Sequence, residues 1–163
     1  MGVLRHEEKL EGVATPLALA IKLGVSRVSF DCVVSEGLRS REKMMVNFGK
    51  GRTSAECISC GVPERYALPG ASKVTWLKDP FSSKHGTGRA VDVYPLVKGD
   101  LATTKLHLPL FRALYEAIMS AGRETQTILR YGGDWDEDGK LFEKGETDAV
   151  HFELVDQRAS TLV

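Results

Sequence analysis

The stretch RAVDVYP, residues 89–95, limits most strongly what this chain can become. Side chains on a strand point alternately to its two faces. Ala90, Asp92 and Tyr94 would therefore share one face, and Val91 and Val93 the other. The valines can bury while the carboxylate of Asp92 points into a site, and the small Ala90 leaves room beside it. Just before the strand stands SSKHGTG, residues 82–88. Its glycines, Gly86 and Gly88, allow a turn tight enough for His85 to converge on Asp92. An imidazole and a carboxylate are good metal ligands, but two ligands do not make a metal site.

The other segments predict the frame around that strand. ATPLALAIKLG, residues 14–24, reads as a helix with Thr15 as N-cap, Pro16 in first position and Gly24 at its end. VSFDCVVSE, residues 28–36, alternates, which places Val28, Phe30, Cys32 and Val34 on one strand face. Cys32 is then a core residue rather than a nucleophile. Gly37 breaks this strand and delivers Arg39, after which Ser40 caps a helix, REKMMVNF, closed by Gly49. Residues 49–80 are rich in Gly, Ser and Pro, lack clear periodicity, and predict a long loop. Pro109 opens a helix with a stripe of Phe111, Leu114, Tyr115 and Ile118, ended by Gly122. TILRYGG and AVHFELV, residues 127–133 and 149–155, predict two further strands. Helices come first and strands mostly late, with no βαβ alternation. The expected fold is α+β: a small, mainly antiparallel sheet flanked by helices, in one domain over residues 1–163.

Composition removes several function classes. The chain carries 22 basic and 22 acidic residues, so the basic excess of a nucleic-acid binder is missing. No run approaches the roughly eighteen apolar residues of a membrane-spanning helix. The opening MGVLRHEEKLEG has no apolar core of a secretion signal, and His6 breaks the myristoylation pattern. A soluble chain made in the cytoplasm, without membrane insertion, is expected. Cys32, Cys57 and Cys60 are too few for a disulfide framework. The C-x-x-C pair lacks the two further ligands of a structural zinc site, so it reads as two thiols in a loop.

Four histidines are present: His6, His85, His107 and His151. His6 lies in a charged stretch and His107 in a polar approach to a helix, so both read as solvated. His151 sits in a strand, and pairing that strand near RAVDV would let it meet His85 and Asp92. Two imidazoles and one carboxylate, with a fourth position open for water, make the catalytic zinc pattern. Glu153 shares the strand face of His151 and suits a supporting or substrate-facing role. Asp148 stands three residues before His151, an odd spacing that a regular strand would put on the opposite face. The chain between them must turn for Asp148 to reach the water and move its proton.

The stretch YGGDWDEDGKLFEKGE, residues 131–146, is open to two readings. Asp134, Asp136, Asp138 and Gly139 match the start of an EF-hand calcium loop, with Leu141 at its apolar eighth position. The twelfth position is Gly145 instead of Glu, with Glu146 one residue late and Glu143 two early. The alternative is an acidic turn between strands. Trp135 either lines a substrate cleft or packs under the loop.

SKHGTGRAVDV resembles the S-x-H-x-x-G-x-A-x-D signature of LAS-type zinc peptidases, with Ser83 as its first residue. DAVHFEL is similar to the second motif of that family, and SEGLRS to its Gly-x-Arg-Ser segment. The three span residues 35–155. The family contains D-alanyl-D-alanine carboxypeptidases, D,D-dipeptidases and phage L-alanyl-D-glutamate endolysins. The resemblance implies zinc on His85, Asp92 and His151, and Asp148 as the catalytic acid/base. It also implies Arg39 on the substrate carboxylate or oxyanion, with a surface salt bridge as its plainer role. The implied activity is zinc-dependent hydrolysis of L-alanyl-D-glutamate in peptidoglycan stem peptides by a phage or prophage endolysin. The alternatives are a D-alanyl-D-alanine carboxypeptidase and a non-catalytic, zinc-bearing wall-binding module. Such endolysins wait in the host cytoplasm until a holin opens the membrane, then act on the wall in the periplasm; a monomer is expected. Relatives with a calcium-responsive loop add Ca²⁺ as a second expected ion. The chain departs from the smallest endolysins at residues 49–73, which are longer here.

Overall fold

The computed structural model describes residues 1–155. In chain order it contains β1 (Leu4–Arg5), α1 (Thr15–Val25), β2 (Cys32–Glu36), α2 (Arg41–Gly49), α3 (Ser54–Ser59), β3 (Ala90–Val97), β4 (Asp100–Leu101), α4 (Leu108–Glu124), β5 (Leu129–Tyr131) and β6 (His151–Leu154). Two compact units are formed: Met1–Leu38 together with the chain from Gly88 onward, and Arg39–Thr87.

The first unit carries a six-stranded sheet in the order β1-β2-β3-β6-β5, with β4 paired to β3. Every pairing is antiparallel except β1 with β2. This is the α+β, mainly antiparallel arrangement that the element order predicts. Val91 and Val93 are fully buried, as the alternation of β3 requires. They pack in one core with Cys32 and Val34 of β2, Phe152 of β6, Leu17 and Ile21 of α1, and Leu114 and Ile118 of α4. The amphipathic stripe of α4 is therefore real, and Pro109 stands in its first turn.

Several boundaries differ from expectation for local reasons. The N-cap of α1 is Ala14, not Thr15. Its N–H donates to the carbonyl of Gly88 at 2.8 Å, so a tertiary bond sets the helix start where no side chain caps it. Gly24 and Gly122 lie inside their helices and end neither. A Cβ on Gly24 would stand 2.7 Å from Cα of Ile118, and one on Gly122 3.0 Å from Leu129, so both glycines serve close packing. Strand β2 starts at Cys32 rather than Val28. Residues 26–30 turn away from the end of α1, and Val28 buries within that bend.

The second unit is small. Ser40 caps α2 as expected, its Oγ accepting from the N–H of Lys43 at 3.2 Å. Residues 49–80 are not one unbroken loop: α3 interrupts them. Thr53 and Glu56 close a reciprocal capping box, with Thr53 N–H donating to Glu56 Oε2 at 2.7 Å and Glu56 N–H to Thr53 Oγ1 at 3.3 Å. The T-x-x-E signal was there, hidden by the surrounding glycines and serines. Cys57 buries against Phe48 and Val62 in a core of its own, and Cys57 and Cys60 are free thiols. Arg52 is buried there, donating to the carbonyls of Phe48 at 2.6 Å and Thr75 at 2.9 Å.

Candidate metal centre

Strands β3 and β6 put Asp92 directly opposite His151. The carboxylate Oδ1 of Asp92 lies 3.0 Å from Nδ1 of His151. On the far side of the ring, Nε2 lies 3.0 Å from Oε2 of Glu153, which is 5% exposed. Burial by itself would drive the His151 imidazolium down, but the hydrogen bonds to Asp92 and Glu153 outweigh it and lift the pKa to about 9. Glu153 is pushed up by burial and pulled down further by its bonds to His151 and Arg130, so it stays below the ordinary carboxylate value.

The odd spacing of Asp148 is resolved by a turn. The N–H of His151 donates to the carbonyl of Asp148 at 3.1 Å, closing a four-residue turn before β6 begins. The kink expected between these residues is present. Gly132, at the end of β5, makes room for it. Gly132 N–H donates to the carbonyl of His151 at 2.9 Å, and its own carbonyl accepts from Asp148 N–H at 3.2 Å. A Cβ on Gly132 would stand 2.4 Å from the carbonyl oxygen of Asp148 and 3.0 Å from Cβ of His151. Asp148 is exposed on the wall of a cleft of about 390 Å³, lined also by Tyr94, Lys105, Leu108, Phe111 and Phe142. Burial, then the charges of Asp92 and Asp148, push the Tyr94 phenol up, so it stays neutral there.

His85 belongs to the second unit, on a short 3-10 turn over Lys84–Thr87, and is 4% exposed. Its carbonyl accepts from Arg39 N–H at 2.9 Å, and the Arg39 guanidinium donates to Ser83 Oγ at 3.3 Å. Three of the residues singled out in the sequence are thus tied together around this turn. Asp92 and His151 come together within the first unit, a carboxylate and an imidazole of the kind that bind metal. Two imidazoles and a carboxylate suit zinc by donor type. The remaining histidines are elsewhere: His6 is exposed and pairs with Glu8 at 2.9 Å, and His107 Nδ1 caps Thr104 at 3.4 Å.

The acidic stretch forms two overlapping clusters, Asp134 with Asp136 and Glu146, and Asp136 with Asp138 and Glu143. In each, one ligand atom per residue lies within 4.8 Å of the others. The first cluster is the more telling. Asp134 is 4% and Glu146 7% exposed. Asp134 Oδ1 and Glu146 Oε2 are buried without a hydrogen-bond partner among the described residues. Glu146, one residue late by the EF-hand pattern, is the acid that joins Asp134 and Asp136. Trp135, between Asp134 and Asp136 in the chain, is half-buried, its ring 5.5 Å from the ring of His151.

Comparison with known proteins follows the same residues. A family model described as phage L-alanyl-D-glutamate peptidase matches residues 69–155. The L-alanyl-D-glutamate peptidase of Escherichia phage T5 is 38% identical over 88 residues, which are 52% of this chain. The chain spans 63% of the length of that curated relative. The crystal structure of an L-Ala D-Glu endopeptidase from Serratia marcescens superposes with a TM-score of 0.60 at 26% identity, covering 93% of this chain and 86% of the other. No described helix is long and apolar enough to cross a membrane.

Proposed function

This chain belongs to the phage L-alanyl-D-glutamate peptidase family, and from that premise we propose that it is a zinc-dependent endopeptidase of peptidoglycan stem peptides. The bond cut is that between L-alanine and D-glutamate, and the biological role is lysis of a bacterial host by a phage or prophage endolysin. The observation that carries this reading is the pairing of Asp92 with His151, with Asp148 presented on the turn just before, all inside the family match.

His85, Asp92 and His151 are the ligands in this proposal, and their donor set supports zinc. Bound zinc would polarise the scissile carbonyl and lower the pKa of a water to about 7. Asp148 removes the proton of the attacking water and returns it to the departing amine, which suits its place on the cleft wall. Arg39 binds the substrate carboxylate or the developing oxyanion, with Ser83 steadying its guanidinium. Trp135 backs the ring of His151 rather than closing on substrate.

A second ion, calcium, would be held by Asp134, Asp136 and Glu146. The buried, unpartnered carboxylate oxygens of Asp134 and Glu146 support it, because leaving buried anions unpaired is costly. Asp138 contributes to the outer, exposed cluster with Glu143. The chain acts as a monomer, released from the host cytoplasm through a holin lesion to reach the wall.

Digestion of purified muropeptides, with and without chelator, tests the reading. The expected products are muramyl-L-alanine and a peptide beginning with D-glutamate, absent after chelation and restored by zinc. Release of a single terminal alanine instead, or activity in a metal-free preparation, would refute it.

A further inference from the structure

Arg130 lies on β5 with Glu153 as its direct cross-strand partner. Its Nε donates to Oε1 of Glu153 at 3.0 Å, and its Nη2 reaches the same oxygen. The other oxygen, Oε2, is the one 3.0 Å from Nε2 of His151. The two carboxylate oxygens therefore have separate duties, one towards the guanidinium and one towards the ring. A carboxylate gripped by a guanidinium accepts hydrogen bonds and donates none. Both ring nitrogens face carboxylates, Asp92 Oδ1 lying 3.0 Å from Nδ1, but only Glu153 is gripped by a guanidinium; when a metal displaces one ring proton, the pinned Glu153 keeps the other on Nε2 and Nδ1 is the nitrogen released. The guanidinium also lies over the Trp135 ring, its carbon 5.1 Å from the ring centre.

We propose that Arg130 is a positioning residue that pins Glu153 so that His151 keeps its proton on Nε2 and ligates metal through Nδ1. The inference rests on the metal reading above. It extends the chain of support from Glu153, on the strand of His151, to a neighbouring strand where nothing in the sequence pointed. A lysine at this position would bring a single nitrogen in place of the two that Arg130 aims at Oε1.

Zinc affinity measured by competition with a chromophoric chelator, on the full chain at fixed pH, tests the role. Arg130→Gln should bind zinc about tenfold more weakly than the parent, the order expected for loss of an outer partner of a ligating histidine. Arg130→Lys should recover part of the loss. Thermal unfolding of the metal-free proteins separates this from a folding defect, and the half-exposed guanidinium makes a fold-competent variant expected. A second readout needs no variant. A long-range proton–nitrogen-15 spectrum of the zinc-loaded parent should show His151 protonated at Nε2 and ligated at Nδ1. Parent-like affinity in Arg130→Gln, or ligation through Nε2, would overturn the proposal. A parent chain that binds no zinc refutes the metal reading itself. A parent that binds, with Arg130→Gln unchanged, refutes only the role of Arg130.

Discussion

Asp92 and His151 face each other across β3 and β6, with 3.0 Å between Oδ1 and Nδ1. Some sixty residues of chain separate them, and strand register alone makes them neighbours. A one-residue slip of β6 would send His151 to the core side and bring Phe152, now fully buried, to the site. The Asp92–His151 pair and the core therefore specify the same register, which is why the pair can rest on so short a strand.

Asp148 is the residue whose loss should separate binding from chemistry. Asp148→Ala is expected to lower kcat by roughly 10²- to 10⁴-fold, the usual share of a general acid/base. Zinc content, read by atomic absorption, should remain at the parent value. A variant that cleaves muropeptides at the parent rate would remove Asp148 from the mechanism.

Gly132 should prove sensitive although it bears no functional group. The Cβ of Gly132→Ala meets the carbonyl oxygen of Asp148 at 2.4 Å, which is backbone and cannot swing away. The turn must shift, at a cost of about 1–3 kcal/mol. Urea unfolding should register that loss, and peptidase activity should fall as Asp148 moves. Unchanged stability and activity together would mean that the turn has slack that the packing does not suggest.

Calcium should raise the thermal midpoint of the parent chain at fixed zinc. With the ion at about a hundredfold its dissociation constant, the stabilisation amounts to about 2.7 kcal/mol. Glu146→Gln keeps the shape but loses the anion that joins Asp134 and Asp136, so calorimetry should show the calcium response abolished. An equal response in both proteins would place the ion elsewhere.

Cys32 is fully buried, and burial pushes its thiol up to about 12, with the nearby Asp31 adding to the effect. In the folded protein it should resist iodoacetamide at pH 8, while the partly exposed Cys60 reacts. The stability consequence has a definite sign. The folded pKa is raised above the unfolded value near 9, so the native state holds the proton more tightly. Its stabilising contribution is complete below about pH 9 and disappears as pH rises towards 12. Cys32→Ala should lack that part of the alkaline decline in a comparison of denaturation midpoints.

Which features were legible in the sequence follows from the range of the interactions behind them. The alternation in RAVDVYP is a local period, and it alone divides the buried Val91 and Val93 from Asp92. The odd spacing of Asp148 and His151 likewise demanded a turn, and a turn is there. One local signal is masked by composition, the Thr53–Glu56 capping box that starts α3 inside a glycine- and serine-rich stretch, and others, such as Gly24 and Gly122 read as helix ends, give way to tertiary packing.

The sequence by itself determined the donor chemistry of the candidate site, the strand that carries Asp92 and the α+β class, because these depend on residue chemistry and short periods. The tertiary structure alone decided what long-range register and packing control. It put Arg130 opposite Glu153 and brought Glu146 into the acidic cluster in place of Gly145. It also set glycines 24, 122 and 132 against neighbours distant in sequence. No local pattern encodes such contacts, since each depends on which strand or helix arrives alongside.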